Sequence, residues 1–567
     1  MKKPVLLFLA AASLFAADYA AEGKLWWSHI QFLADDKLQG RDVGSDGFQK
    51  AVEYVGTQFE RLGLKPGGPN GYQQPIKFER RTLIAEQSSL ALVRDGNEIP
   101  LALGADASLN SRADLAPSLE APMVFVGHAF VIPEAQVDDL KGLDLHGKIA
   151  VFMSAGTVPG VPGNLMSHYQ SATERWNALK RAGAIGIATV QAPPQAGRGG
   201  SGANAAGSPP QPDNADAANA PAGGANGGGG RGGGGRGGGG GRGGGAPPSV
   251  VLADAALVET GGQQVSITIT ARGAEKFFEG TGHTLDDLQK LAKANQPLPT
   301  FELKGTLRAK AALKREPMDS QNVVGVLPGS DAKLKSEYVV MSAHLDHLGV
   351  GRAVNGDNIY NGAMDDASGV ASVIEIARLM KESGVKLKRS VIFLAVTGEE
   401  KGELGSRYFA AHPTVAASSI VADINLDMFL PLYALKVIEV QGLTESTLGD
   451  QVRAAAADLG VKVQPDQEPE QNRFIRSDQY SFIRQGVPAL AFKFGYEPGS
   501  PDEKTRRDWV RDVYHKPSDD LNQPVDAAAA AQFNHVIANL LQRVANDTAR
   551  PEWYKDSFFK RFAKPAL

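Results

Sequence analysis

The strongest constraint on the fold is a series of short, almost wholly apolar runs in the second half of the chain. From about residue 299 onward these strand-like segments include SQNVVGVLPG, SEYVVMSAHLDH, SVIFLAVTGEE, SIVADINLDMF and VPALAFKFG. Near-continuous apolar runs are typical of strands that are buried on both faces of a sheet. Between them, ASGVASVIEIARLMKESG has apolar residues at helical spacing and ends at Gly384. The pattern predicts an open α/β sheet with helices on both sides.

Metal-competent side chains follow three of these predicted strands at the point where each strand ends. They are His344, Asp346 and His347 after YVVMSA, Glu399 and Glu400 after VIFLAVTG, and Asp427 after IVADIN. Two further positions are Asp365 with Asp366, in the loop that opens the predicted helix, and His515, in the polar loop VYHKPSDD. Ligands of open α/β sheets bind at the carboxyl ends of the strands, so we expect these groups to share one edge.

The absence of cysteine narrows the chemistry that this edge can support. With no cysteine in the chain, disulfides, thiol catalysis, iron–sulfur clusters and zinc fingers are excluded. A metal must then be held by His, Asp and Glu, and the predicted set is His344, Asp365, Glu400, Asp427 and His515. These side chains suit zinc or a similar divalent ion. Two ions about 3.5–4 Å apart can clamp the attacking and leaving atoms of a hydrolysis.

Glu399 and Glu400 are expected to have different roles although they are adjacent. Successive side chains at the end of an extended strand face opposite ways, so only one of the two can point at a given metal. The other is then free to hydrogen-bond the water that a metal activates. Taken singly, each residue of the set also fits an ordinary role in a loop or at a helix start. The indication of function comes from five such residues at the strand ends of one domain.

The first half of the chain has a different organisation. Residues 25–63 are predicted to be helical, with the Gly-rich turn LQGRDVGSDG between two helices. From residue 118 to about 195, APMVFVGHAF and GKIAVFMSAG are predicted strands, followed by the helix-like ATERWNALKRAGAIGIATV. Strand-like PPSVVLADAAL and QQVSITITARG come after a Gly-rich segment.

That Gly-rich segment, residues 192–248, loses all periodicity and reaches GGGGRGGGGRGGGGGRGGG. It cannot bury enough apolar surface to offset its chain entropy, so we expect a disordered surface insertion. The alternative, an RGG-type nucleic-acid segment, lacks interleaved aromatic residues. The whole chain has 59 basic and 63 acidic residues and a net charge of −4. This balance argues against a nucleic-acid partner.

The first 21 residues are predicted to be an export signal. Lys2 and Lys3 precede an apolar run that extends from Val5 to Ala17, as in a secretory signal peptide. The run is shorter than the roughly 20 residues of a membrane span; an uncleaved N-terminal anchor is the alternative. We therefore expect a mature protein in the periplasm or the medium, without stable membrane insertion.

The ordered motifs HLDH, GAMDDASG, TGEE, NLDM, SDQYSF and VYHKPSDD resemble those of the di-zinc aminopeptidases of metallopeptidase family 28. That family also includes glutamate carboxypeptidase and glutaminyl cyclase relatives. The resemblance implies a three-layer α/β/α sandwich with a mostly parallel mixed sheet, formed by residues 22–117 and 276–567. It also implies that residues 118–275 are an inserted, β-rich protease-associated domain that contains the Gly-rich segment.

The resemblance further implies how two zinc ions would be held. His344 and Asp427 would bind one ion, Glu400 and His515 the other, and Asp365 would bridge them. A cis peptide bond between Asp365 and Asp366 is common in the family.

Three more residues receive roles from the same resemblance. Glu399 would be the general base that takes a proton from the attacking water. Asp346 would orient His344 through the other ring nitrogen, as expected of zinc histidines, and Tyr514 would help to stabilise the tetrahedral oxyanion. One departure is Gln479 in SDQYSF, where many relatives have His, so a proton-transfer role at that position is in doubt.

The implied function is an exported, zinc-dependent aminopeptidase acting on peptides with two zinc ions per chain, although cobalt or manganese would also fit the ligands. A carboxypeptidase or dipeptidase on the same fold, a single-zinc glutaminyl cyclase and a non-catalytic receptor-like scaffold are the alternatives. Retention of all five ligand positions favours the two-metal peptidase, whereas the scaffold rests on fold-level analogy. The sequence leaves the substrate side chain and the oligomeric state open.

Overall fold

The computed structural model describes residues 17–191 and 248–564. The predicted disordered insertion and all but the last residues of the predicted export signal lie outside these ranges. In the described part, no helix is both long enough and apolar enough to cross a bilayer.

Strands outnumber α-helices among the described residues. In chain order, the strands are β1 (Lys65–Pro66), β2 (Gln73–Leu83), β3 (Ser89–Arg94), β4 (Asn97–Leu101), β5 (Ala107–Leu109), β6 (Ser118–Val126), β7 (Val131–Ile132), β8 (Val137–Asp138), β9 (Ile149–Met153), β10 (Gly186–Val190), β11 (Ser249–Leu252), β12 (Val265–Ile269), β13 (Thr300–Lys310), β14 (Leu313–Leu327), β15 (Tyr338–His344), β16 (Gly349–Val354), β17 (Asp357–Tyr360), β18 (Ser390–Val396), β19 (Ile420–Asn425), β20 (Val437–Gln441), β21 (Lys462–Pro465) and β22 (Ala489–Phe494). The α-helices are α1 (Tyr19–Leu33), α2 (Asp46–Arg61), α3 (Gly163–Gln170), α4 (Ala172–Arg181), α5 (Ala271–Phe278), α6 (Leu285–Lys293), α7 (Ser368–Glu382), α8 (Leu404–Ala411), α9 (Leu448–Ala457), α10 (Gln479–Ile483), α11 (Pro501–Asp512) and α12 (Ala527–Asn546).

The larger sheet is mixed and has the order β11-β2-β14-β18-β15-β19-β22-β20-β21, with β1 paired to β14. Its centre is parallel, because β15 pairs in parallel with both β18 and β19, and β19 pairs in parallel with β22. Strands β2 and β14 run antiparallel to their neighbours. Strand β20 is antiparallel to β22 and parallel to β21. The five predicted strands of this region and helix α7 are confirmed, and Gly384 follows α7 with a φ of +63°.

Helices cover both faces of this sheet. Along β18, Val391, Phe393 and Ala395 pack into a large core with helices α1, α2, α7 and α12. The alternate residues Ile392 and Leu394 pack on the opposite face, in a core that includes side chains of α8 and α10. The near-continuous apolar strands are therefore buried on both sides, which confirms the three-layer α/β/α architecture.

The N-terminal helices complete one of these layers. Asp18 caps α1 by accepting from the Ala21 amide, and Ser45 caps α2 by accepting from the Phe48 amide. Such caps satisfy amide groups that a helix start leaves unpaired. The segment between the helices, which the sequence predicted as a turn, forms the 3₁₀ helix Asp36–Arg41.

The second sheet has the order β4-β3-β13-β6-β9-β10-β12-β5 and its own apolar core. It extends beyond the predicted inserted domain, residues 118–275, on both sides, because β3, β4 and β5 precede residue 118 and β13 follows residue 275. Strand β11 lies within 118–275 but pairs with β2 in the larger sheet. Strands far apart in the chain close this sheet, so it does not coincide with residues 118–275; the domain boundaries stay a prediction. Its identity as a protease-associated domain stays a prediction.

Candidate metal centre

The register of the parallel strands brings the predicted ligands to one place. His344 ends β15 opposite Val396 of β18, and Ser342 lies opposite Asn425 of β19. The residues that follow Val396 and Asn425 therefore emerge beside His344, at the carboxyl edge of the sheet. Glu399 and Glu400 come from the first of these segments and Asp427 from the second.

Asp365 lies at the centre of the cluster. Its Oδ1 is 3.1 Å from Nε2 of His344, and its Oδ2 is 3.2 Å from Nε2 of His515. Oε2 of Glu400 is 3.4 Å from the same His515 nitrogen. The two oxygens of one buried carboxylate thus face two different imidazoles. The peptide bond between Asp365 and Asp366 is cis, as the resemblance implied.

The opposite side of the cluster is formed by His344 with two further carboxylates. Nε2 of His344 lies 3.9 Å from Oδ1 of Asp427 and 4.0 Å from Oε2 of Glu399. Glu399 and Asp427 are the more exposed of the clustered carboxylates, with 11% and 16% of their side chains accessible. The structure therefore places the predicted base and one predicted ligand towards solvent.

Asp346 does not hold His344 in the predicted way. Nδ1 of His344 contacts the backbone carbonyl of Asp346 at 3.1 Å, and the carboxylate of Asp346 instead accepts from the Glu399 amide at 3.1 Å. The chain turns directly after His344, which brings the carbonyl rather than the side chain to the ring. Asp346 thus orients His344 through its backbone and ties the end of β15 to the end of β18 through its side chain.

His347 belongs to the cluster although the sequence analysis gave it no role. Among the described residues, two groups have donor atoms within 4.8 Å of one another: His344 with Asp366 and Asp427, and His347 with Asp365 and Glu400. The second His of the HLDH motif is His347, and this motif is the sequence feature that could have indicated it. Nε2 of His347 is buried without a hydrogen bond, and Nδ1 of His347 faces Oε1 of Glu400 at 2.7 Å in a geometry that forms no well-aligned hydrogen bond. Nitrogen and oxygen donors left unpaired in this way fit a divalent metal ion.

Comparison with known proteins finds a family match in this region. Residues 322–541, less than half of the chain, match peptidase family M28. All five predicted metal ligands, and Glu399, lie within the matched residues.

Individual relatives of the M28 region have different names. Carboxypeptidase Q from Xenopus laevis is 30% identical over 152 residues, which are 26% of this chain and 29% of that protein. A probable leucine aminopeptidase 2 from Aspergillus oryzae is 29% identical over 200 residues, 34% of this chain and 37% of that protein. This chain thus matches less than two fifths of the length of either relative. The solved aminopeptidase from Aneurinibacillus sp. strain AM-1 superposes over 93% of this chain and 95% of that chain, with a TM-score of 0.48 and 18% identity.

Two aspartates fix the loops of the M28 centre through backbone amides. Asp366 accepts from the amides of His344, Gly369 and Met428 at 3.3, 2.9 and 3.2 Å. Asp519 accepts from the amides of Met364 and Asp365 at 2.8 and 3.0 Å. Because these oxygens are already occupied by amide donors, we infer that both residues position the loops. Asp519 was not predicted from the sequence, since nothing in KPSDD distinguishes it from a solvated aspartate.

The electrostatics of the M28 centre reflect crowding of carboxylates. Burial raises the pKa of Asp365, but hydrogen bonds with His344 and His515 outweigh burial and hold that pKa well below its ordinary value. Burial lowers the pKa of His515, but Glu400 and Asp365 raise it to about 9. Burial raises the pKa of Glu399 well above its ordinary value; the charge of His344 opposes this, and Glu400 adds to it. Positive charge beside these buried carboxylates thus stabilises their ionised forms.

Tyr514 and Gln479 differ in how they relate to the M28 centre. The Tyr514 ring stacks on His515 with centroids 3.8 Å apart. Its pKa is raised well above the ordinary value by burial and then by Asp365 and Glu400, so the phenol is protonated and able to donate. Gln479 is buried, accepts from Asn425 at 2.7 Å and donates to the Phe474 carbonyl at 3.1 Å. These hydrogen bonds indicate a structural role for Gln479.

Arg41, from the Gly-rich turn of the sequence, supports the M28 centre from behind. Its buried guanidinium donates to four backbone carbonyls: those of Leu33, Leu345, Asn361 and Gly362. Leu345 follows His344, and Gly362 precedes Asp365 by three residues. Burial lowers the pKa of Arg41 to about 10, and the charge of Asp519 opposes that shift. The side chain is therefore charged at neutral pH and ties two ligand-bearing loops to helix α1.

We expect Arg41→Met to lower the free energy of unfolding by about 3 kcal/mol or more, because several buried carbonyls lose a charged donor at once. Denaturant unfolding of the apoprotein measures this change. Arg61→Met, on the exposed end of α2, is the matched control and should stay within about 0.5 kcal/mol of the unsubstituted protein. Equal effects of the two substitutions would refute the role given to Arg41.

Proposed function

We propose that this chain is a zinc-dependent exopeptidase that removes residues from the amino end of peptides. The observation that carries the proposal is the position of Asp365, whose two oxygens face His344 and His515 at 3.1 and 3.2 Å. A carboxylate shared in this way is suited to lie between two ions. The M28 match supports peptide-bond hydrolysis as the reaction. Export stays a prediction from the sequence.

The distances within the cluster support the proposed ligand set. His344 and Asp427 would hold one zinc ion, Glu400 and His515 the other, and Asp365 would lie between them. When bound, such a pair supplies Lewis-acid polarisation of the scissile carbonyl and lowers the pKa of a water molecule. The orphaned buried donors and the crowded carboxylates support a pair of cations here.

Glu399 and Tyr514 would perform the remaining steps. Glu399 is outside both donor groups and retains some exposure, and the positive charge of bound ions would oppose the burial that raises its pKa. Its carboxylate would then be free to accept a proton from the attacking water. It can then return that proton to the leaving amine, as a general base and acid. The protonated phenol of Tyr514 can donate to the oxygen on which negative charge develops.

The excess of carboxylates supports an amino-end specificity. Glu399 and Asp427 have more exposed side chains than Asp365 and Glu400. A peptide that enters the site from solvent would therefore meet these two carboxylates first. A protonated α-amino group would be attracted there, whereas a terminal carboxylate would be repelled by both.

A carboxypeptidase or dipeptidase is the second candidate, favoured by two cations near the cluster. Nζ of Lys493 donates to the backbone carbonyl of Asp427 at 2.7 Å. Burial lowers the pKa of Arg476, and the charge of Glu399 opposes that shift; the buried Nε of Arg476 has no hydrogen-bond partner. These groups could recognise a terminal carboxylate. A glutaminyl cyclase or a scaffold gains no support from the complete set of two-metal ligands.

Matched substrates separate these activities. Leucine p-nitroanilide should be cleaved, and its N-acetyl derivative should react at least about 100-fold more slowly, because the acetyl group removes the charged amine. A chelator should abolish cleavage, and added zinc should restore it. Faster hydrolysis of N-acetyl-Leu-Gly than of the anilide would favour the carboxypeptidase. Cyclisation of a Gln-initiated peptide, or a protein that binds no zinc, would overturn the proposal.

A further inference from the structure

His347 is a fully buried imidazole that the proposed mechanism leaves unused. It lies three residues beyond His344 and is 0% exposed. Nε2 makes no hydrogen bond, and Nδ1 faces carboxylate oxygens, 2.7 Å from Oε1 of Glu400 and 3.9 Å from Oδ2 of Asp365. A divalent ion between these oxygens and the ring would give the ring nitrogen and the crowded oxygens a common partner.

The position of the ring is fixed by the backbone around it. A Cβ atom placed on Gly362 would lie only 2.4 Å from Cγ of His347, and Gly362 has a φ of +62°. The glycine therefore leaves the space that the ring fills. The amide of His347 donates to the carbonyl of Arg41 at 3.3 Å. The space beside Gly362 and the hydrogen bond to Arg41 together fix the ring with Nδ1 facing Glu400.

Four side chains converge at this end of the cluster. Asp365 and Glu400 both contact His347 and His515. Nε2 of His515 lies 3.2 Å from Oδ2 of Asp365 and 3.4 Å from Oε2 of Glu400. Bonds of 2.0–2.1 Å to zinc place tetrahedral donors about 3.3 Å apart. The separations around Asp365 and Glu400, between 2.7 and 3.9 Å, bracket that distance. The two imidazole rings approach edge-on, with centroids 5.9 Å apart.

We propose that His347 is a fourth protein ligand of the ion assigned to Glu400, Asp365 and His515. The inference rests on the proposed two-metal function and adds a residue to it. The two ions are then unequal, since the other has only His344, Asp427 and the shared Asp365. Zinc sites with four protein ligands are closed, whereas catalytic sites keep a position open. The Glu400 ion is therefore the tightly held one, and the His344 ion exchanges and faces the substrate.

Metal titration of the purified protein tests this inequality. Zinc-loaded protein is equilibrated with a graded series of chelator-buffered zinc concentrations, and the bound zinc is counted. The unsubstituted protein should release its two ions in separate steps. His347→Phe keeps a ring of similar shape and removes both nitrogens. It should weaken the tighter step by about 100-fold or more, because even indirect partners of a ligand contribute 10–100-fold.

A second buried histidine provides the matched control. His29 contacts Glu375 at 3.2 Å in a different part of the fold, so His29→Phe should leave both zinc affinities unchanged. Cobalt-substituted protein gives a readout that is independent of activity: its visible spectrum should change in His347→Phe and not in His29→Phe. A His347→Phe protein with unchanged affinity and spectrum would overturn the proposal.

Zinc-edge X-ray absorption on the unsubstituted protein covers the case in which His347→Phe does not fold. The proposal expects three imidazoles shared between two zinc ions, from His344, His347 and His515; two imidazoles would refute it. Suppose that His347→Phe weakens zinc binding by less than about tenfold and that X-ray absorption of the unsubstituted protein shows only two imidazoles. His347 would then orient Glu400 without binding zinc, and the proposal would be refuted. Protein that binds no zinc would instead refute the proposed function itself, so the two failures are distinguishable.

Discussion

Glu399→Gln is expected to lower kcat by about 10²–10⁴-fold, the usual contribution of a general base, while the zinc content stays unchanged. Glutamine keeps the size of the side chain and loses the ability to accept a proton at neutral pH. Glu399 lies 4.0 Å from His344 and outside both donor groups, so removing its charge should not remove a ligand. Steady-state kinetics and metal analysis on the same preparation measure both quantities.

Two neighbouring glutamates serve as comparisons for this result. Glu400→Gln should lose zinc as well as activity, because Glu400 contacts both His347 and His515. Glu403 is a partly buried acid of the same loop, and desolvation of its carboxyl group, opposed by the charge of Arg407, raises its pKa to about 8. Because it belongs to neither donor group, Glu403→Gln should retain kcat within about threefold. Near-normal activity of Glu399→Gln would show that another group is the base.

Part of the candidate metal centre was predictable from the sequence because three of its segments directly follow buried parallel strands. The segments that end in His344, Glu399 and Asp427 are apolar enough to identify as buried strands, and parallel neighbours deliver their carboxyl ends to one edge. Asp365 and His515 lie in loops, and the family resemblance rather than periodicity assigned their roles. The structure places all five near one another.

The contacts that fix these ligands were much less predictable. Arg41 is more than 300 residues from the carbonyl of Leu345 that it binds, and no local pattern indicates such a contact. The side chain of Asp346 was predicted to contact His344. Because the chain turns after His344, the backbone carbonyl of Asp346 makes that contact, and its carboxylate accepts from the Glu399 amide instead. Both cases depend on backbone direction after a strand ends, which apolar periodicity does not encode.

The extent of the second sheet was not predictable from the sequence for a related reason. Strands β3 and β13 pair although about 200 residues separate them, and β13 has alternating exposure, as an antiparallel strand does. The family resemblance implied an inserted domain at residues 118–275. The sheet instead recruits strands from both flanks, because antiparallel pairing depends on register between distant segments.

Asp365→Asn is expected to weaken the binding of both ions, because one carboxylate serves the two histidines. Asparagine preserves the size of the side chain, and its backbone amide can still donate to Asp519. It removes the negative charge and one of the two acceptor oxygens, so each apparent zinc dissociation constant should rise by at least about 100-fold. Zinc content after dialysis against buffered zinc measures the loss.

Asp427→Asn distinguishes a shared ligand from a ligand of one ion. Asp427 lies 3.9 Å from His344, at the solvent-facing side of the cluster, so this variant should lose one zinc and keep the ion near Glu400. Ligand binding raises stability in proportion to the logarithm of the free ligand. Zinc should therefore raise the Tm of Asp427→Asn but have little effect on Asp365→Asn. If Asp365→Asn bound two zinc ions as tightly as the unsubstituted protein, Asp365 would not be their bridge, and the centre would have to be built from separate sites.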